Sequence, residues 1–234
     1  LNDLVEGIAF YAVFVFAVTV HEAAHAWVAM KGGDLTAYAG GQVSLDPLPH
    51  MKREPFGMVI LPIVTLVTSG FPIGFASAPY DPAWAARHPR RAAWMALAGP
   101  GANLALTLAS ALAIRAGIAF DRLAAPDSLS FTSVTAAVGD PGGLASASAL
   151  LLSIFFSLNL LLFVLNMLPV PPLDGSGALT LVLPQRWVEG YQTLCRQPVV
   201  AILALFAVWN FAGSVFRPCF YLAVDWLYPG TRYQ

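Results

Sequence analysis

Leu4-Val-Glu-Gly-Ile-Ala-Phe-Tyr-Ala-Val-Phe-Val-Phe-Ala-Val-Thr-Val-His21-Glu22-Ala-Ala-His25 is the stretch that decides the fold, an apolar run that continues to Met30. A hydrocarbon core about 30 Å thick takes about 20 apolar residues of helix, so Leu4 to Met30 is long enough to cross a membrane. On a helix His21 and His25 lie one turn apart on the same face, where two imidazole nitrogens can converge on one metal ion. Glu22 projects from the flank of that face, placed to take a proton from water without being a ligand itself. The competing reading is an interfacial helix end with two packing histidines. Ionisable groups in apolar spans are costly and usually have a partner and a function, which weighs against it.

Working outward, the whole chain has the same character. Of its 234 residues, 58% are hydrophobic and 11% charged, against roughly 25% charged in a soluble domain. The expected fold class is an all-α polytopic membrane protein, a single domain over residues 1–234 in contact with the lipid bilayer. A net charge of −1 and the lack of a basic run give no sign of nucleic acid as a partner. Cys195 and Cys219 are too few and too far apart for a thiolate metal site or a disulfide framework and read as packing residues. Leu4 to Met30 is too long and wrongly flanked for a cleaved signal peptide.

Four stretches are long enough to span: Leu4 to Met30, Ala92 to Ile114, Ser146 to Leu168 and Pro198 to Phe216. Phe56 to Gly70 is shorter and leads into Gly70-Phe-Pro-Ile-Gly74, so residues 56–79 are expected to form a re-entrant helix and β-strand segment. With that return in place, Lys31, Lys52, Arg53, Arg87, Arg90, Arg91, Arg186 and Arg196 fall on one side and Arg115, Arg122, Arg217 and Arg232 on the other. The first side is then expected to be cytosolic. The same parity brings the chain after Ser146 to Leu168 to the depth of His21 and His25.

That chain reads Asn166-Met-Leu-Pro169-Val-Pro171-Pro172-Leu173-Asp174-Gly175. The prolines cannot continue a helix, so the backbone leaves it near Leu168. Asp174 could then supply the third protein ligand of a catalytic zinc, with a fourth position left for water. The alternative is that Asp174 caps a short helix beginning near Gly175.

With His21-Glu22-Ala-Ala-His25, Gly99-Pro-Gly-Ala-Asn103 and Asn166-x-x-Pro169-x-x-x-Leu173-Asp174-Gly175 in this order, the chain resembles the site-2 protease family of intramembrane zinc metalloproteases. The resemblance implies Zn²⁺ held by His21, His25 and Asp174, Glu22 as the catalytic carboxylate, and a centre within the membrane nearer the cytosolic side. Ile73-Gly74-Phe75-Ala76-Ser-Ala-Pro79 resembles the extended segment these proteases place beside the active site, where an edge could pair with an unwound substrate. Gly and Pro there also fit an ordinary turn. Asn103 and Asn166 could donate to the substrate carbonyl or bond between helices. The connection Arg115 to Ala145 is too short for the PDZ or CBS domain of larger relatives.

The implied activity is endopeptidase cleavage of a transmembrane protein or peptide substrate, in a multi-pass protein of the bacterial cytoplasmic membrane. The alternative from another class is a non-catalytic metal-binding scaffold or a metal transporter, which has no need of a carboxylate beside the metal. His50 reads as a loop histidine facing water or as an auxiliary group approaching the site from the loop after the first helix. Trp84, Trp94, Trp187, Trp226 and Tyr228 fit an interfacial aromatic belt.

Overall fold

The computed structural model describes residues 2–139, 143–231 and 233; Arg232, counted above, lies outside them. Four helices are long and apolar enough to cross a membrane, and the chain is a multi-pass membrane protein. The first, α1, runs Asn2–Lys31. Short helices α2 (Thr36–Ala39) and α3 (Pro47–Arg53) follow, then a π-helical turn at Phe56–Ile60 leading into α4 (Leu61–Ser69). Helix α5 (Pro82–Arg87) precedes the second span α6 (Pro89–Ala119). Strands β1 (Leu123–Ala124) and β2 (Ala136–Ala137) pair antiparallel before the third span α7 (Leu144–Asn166). Helices α8 (Asp174–Ala178) and α9 (Gln185–Cys195) lead to the fourth span α10 (Pro198–Leu227).

The spans differ from the sequence reading mainly at their ends. Helix α10 continues past Arg217-Pro218 to Leu227, because an internal proline removes one backbone bond and membrane helices tolerate that loss. Its first half is exposed, with Ile202, Phe206 and Trp209 each more than 60% accessible, whereas Phe216, Phe220, Val224 and Leu227 are buried. Helix α7 stops at Asn166, before Pro169, as a proline-rich stretch requires.

The expected return is visible as nested contacts. Arg53 Nε donates to the Ser77 carbonyl (3.3 Å), and Ser77 Oγ donates to Glu54 (2.7 Å). Further in, the Phe75 N–H donates to the Gly57 carbonyl (3.1 Å) and the Ile73 N–H to Thr65 Oγ1 (2.8 Å). The chain thus goes out along α4, turns at Gly70 and comes back to the level it left. Residues 72–81 hold no assigned strand; the described sheet is the short β1–β2 pair instead. Gly57 and Gly74 allow the close approach. A Cβ on Gly57 would stand 2.2 Å from the Phe75 carbonyl oxygen, and one on Gly74 would stand 2.3 Å from that of Gly57.

Spans α1, α6 and α7 pack together around the site. Phe10, Val13, Phe14, Ala17 and Val18 of α1 are buried against Met58 and against Ile154 and Leu158 of α7. On the other side Ala111 and Ile114 join Phe156, Leu160, Phe216 and Phe220. Two members of the expected aromatic belt are buried instead. Trp84 Nε1 donates to the Gly32 carbonyl (3.0 Å) and Tyr228 hydroxyl to that of Val134 (3.0 Å). Each is drawn inward because its polar tip finds a backbone partner there. Trp94, Trp187 and Trp226 remain exposed, and neither Cys195 nor Cys219 is in a disulfide.

Candidate metal centre

Helix α1 carries His21 and His25 on the face turned to α6, and both are buried, as is Glu22. Asp174 reaches them from the start of α8, after the Pro169–Leu173 stretch has led the chain out of α7. Its Oδ2 lies 3.0 Å from His21 Nε2 and 3.3 Å from His25 Nε2, and the two Nε2 atoms are 3.0 Å apart. Three ligand atoms of a tetrahedral zinc with bonds of about 2.0–2.1 Å would stand about 3.3 Å from one another. The donor set therefore has the composition and close to the spacing such an ion needs. Asp174 spends this oxygen on the imidazoles, and the residue before α8 is Leu173, which offers no side-chain cap.

Both imidazoles are held from behind. His25 Nδ1 contacts the Met95 carbonyl of α6 (2.7 Å); a carbonyl can only accept, so Nδ1 carries the proton and Nε2 offers its lone pair. For His21 the same conclusion follows through a relay across three spans. The Phe155 carbonyl accepts from Asn159 Nδ2 (2.8 Å), which turns Asn159 Oδ1 toward Asn103 Nδ2 (2.9 Å). Asn103 Oδ1 is thereby aimed at His21 Nδ1, which donates to it. Such partners behind a ligating histidine fix its tautomer and ring orientation.

Asn103 is thus a buried link between α1, α6 and α7, with both ends of its amide engaged. Asn166, the last residue of α7, turns Nδ2 to the Leu162 carbonyl of its own helix (3.0 Å). His50 is buried and its Nε2 meets the Ser44 carbonyl (3.1 Å). It is not among the described residues whose donor atoms cluster, which are His21, His25 and Asp174. Glu22 Oε2 is buried and has no hydrogen-bond partner among the described residues. An orphaned carboxylate oxygen next to a donor cluster is what a group awaiting a proton-bearing partner looks like.

The segment after α4 runs past this centre. A Cβ on Gly74 would meet the Phe14 ring, while Ala78 packs on the cluster containing Ala29, Trp84 and Met95. Residues 75–77 therefore cross the level of the imidazoles. Phe75 is half exposed there, and the backbones of Gly74 and Ala76 make no hydrogen bond among the described residues.

Sequence reasoning missed two contributors, Asn159 and the Met95 carbonyl. Asn159 had a readable signal, a lone amide within an apolar span. The Met95 carbonyl had none, since backbone groups leave no mark on residue type.

The model of Peptidase family M50 matches residues 9–206. The chain belongs to that family. Membership agrees with the site-2 protease resemblance and makes the protein a metalloprotease. Among family relatives, YwhC of Bacillus subtilis, provisionally named a zinc metalloprotease, is 30% identical over 73% of this chain and 67% of its own length. Rip2 of Mycobacterium tuberculosis, with the same provisional naming, is 28% identical over 97% of this chain and 78% of its own length. Rip2 of Mycolicibacterium smegmatis is 27% identical over 76% of this chain and 61% of its own length. No solved structure gives a significant match.

Proposed function

We propose that this M50 protein is a zinc endopeptidase that cuts transmembrane segments of membrane-protein substrates. The observation that carries this reading is the meeting of His21, His25 and Asp174 around one point, with Glu22 beside it, at the end of an apolar span. Two imidazole nitrogens and a carboxylate are a ligand set that suits zinc and leaves a position open for water, and zinc is the metal in the relatives' names. When bound there, zinc would lower the pKa of water toward about 7 and polarise a carbonyl oxygen.

The chain's own residues do the rest. Glu22 accepts the proton of the attacking water and returns it to the leaving amine. Asn103, Asn159 and the Met95 carbonyl hold the imidazoles with Nε2 forward, so no reorientation is needed during reaction. Gly74 and Ala76, on either side of Phe75, present backbone groups with no partner among the described residues at the level of the centre, suited to a substrate unwound from its helix. Asn166 is the candidate donor to the substrate carbonyl, after its amide turns away from Leu162. Neither ionised ligands nor water tolerate dry lipid, so the centre needs a polar path from the cytosolic side of a bacterial cytoplasmic membrane. The charge bias toward the side of Lys31, Lys52, Arg90 and Arg91 supports that orientation.

Incubating the detergent-solubilised protein with a model transmembrane substrate, and mapping products by mass spectrometry, tests this. The expected result is a cut inside the apolar segment with wild type and none with Glu22→Gln. Cuts confined to extramembrane linkers would contradict the intramembrane assignment.

A further inference from the structure

Helix α6 breaks the ordinary rules of helix composition at one level, with Gly99-Pro100-Gly101 in its interior. Glycine and proline both weaken a helix interior, so their presence there needs a local reason. For Gly99 the structure supplies one. An ideal Cβ at Gly99 would stand 2.3 Å from His25 Nε2 and 2.5 Å from His21 Nε2. Non-bonded heavy atoms keep about 3.5–4.0 Å apart, so no side-chain carbon fits in front of these nitrogens. A bound zinc stands about 2.0–2.1 Å from its imidazole ligands, so the room beside these nitrogens that a side chain would take is room the ion needs. The contrast with Gly101 is sharp: a Cβ there meets nothing within 4 Å, and the residue is exposed.

We propose that Gly99 is a positioning residue for the metal, the side-chain-free wall that keeps the space before both Nε2 atoms open to the ion. The inference rests on the metal reading given above. Any side chain at 99 must push the imidazoles apart or occupy coordination space. Glycine is required at that position by the site and not by the helix, whose backbone is ordinary α there.

The test uses the full chain in detergent, stripped of metal and titrated with Zn²⁺ against a competing chelator dye. Wild type and Gly101→Ala should bind alike, and Gly99→Ala should lose at least about tenfold in affinity, the scale seen when ligand orientation is disturbed. Wild-type affinity in Gly99→Ala overturns the inference and leaves the metal reading standing. A wild type that binds no more zinc than a His21→Ala/His25→Ala double variant overturns both.

A second, metal-free measurement guards against simple misfolding, since alanine before Pro100 carries its own backbone cost. The thermal midpoint should fall more when Gly99→Ala is made in the wild type than when it is made in the His21→Ala/His25→Ala background, where the clashing rings are gone. An equal fall in both backgrounds would place the conflict elsewhere and overturn the proposal.

Discussion

Replacing Asn103 by leucine keeps the branching of the side chain but removes the acceptor behind His21 and breaks the relay to Asn159. Asn103 is fully buried, so the His21 Nδ1 proton loses its partner where water cannot replace it. Leaving a buried donor unsatisfied costs about 1–3 kcal/mol. Disturbing a partner behind a metal-ligating histidine typically weakens metal affinity by about 10–100-fold, which is about 1.4–2.8 kcal/mol. The two routes agree, so Asn103→Leu should bind Zn²⁺ about 10–100-fold more weakly in a competition titration of detergent-purified protein. Asn103→Asp retains an acceptor for His21 but sets its second oxygen against Asn159 Oδ1, so it should recover only part of the loss. Thr107→Val is the matched control: among the described residues Thr107 Oγ1 bonds only the Asn103 backbone carbonyl one turn away (2.9 Å), so affinity should be unchanged. Wild-type affinity in Asn103→Leu would refute the relay as the device that orients His21.

Three further outcomes are expected. Asp174→Asn removes the charged ligand and should weaken Zn²⁺ at least as much as Asn103→Leu in the same titration; unchanged affinity would point to another third ligand. Gly74→Ala places a Cβ 2.3 Å from the Gly57 carbonyl oxygen and 2.5 Å from the Phe14 ring, overpacking worth about 1–3 kcal/mol, and thermal unfolding should show a lower midpoint with zinc affinity unaffected. Asp34, in the loop after α1, is subject to burial, which raises its pKa, but accepts from the Thr36 N–H, the Thr36 hydroxyl and the Asp81 N–H, and these hold it below the ordinary 3.8. A depressed folded-state pKa gives stability that is present above the ordinary value and lost as pH falls through the depressed one, so thermal midpoints measured downward from pH 5 should fall less steeply for Asp34→Asn than for wild type.

Much of this was written in residue types and spacing. The four spans, the outward and returning segment and the parity that joins His21 to Asp174 all follow from apolar run lengths and from where Gly and Pro interrupt them. Histidine, glutamate and aspartate announce themselves in apolar surroundings, because such groups are expensive there. The rest depended on contacts that residue type does not encode. Nothing in the sequence says that Asn103 faces His21 and not a substrate, since an amide serves either role and only the neighbouring Asn159 decides. The end of α10 was misread at Arg217-Pro218 because a proline that stops a soluble helix costs a membrane helix one bond. Trp84 and Tyr228 look like belt residues until their polar tips are seen to reach the carbonyls of Gly32 and Val134.

The most direct test of the central claim, one ion held by three residues with Glu22 as the base, is a paired measurement on wild type and Glu22→Gln. Zinc content and cleavage of a model transmembrane substrate are determined on the same purified samples. The account predicts about one zinc per chain in both proteins and cleavage by the wild type alone, because an amide cannot take up the proton of water. Undiminished cleavage by Glu22→Gln, or a wild type that cleaves without bound metal, would contradict it.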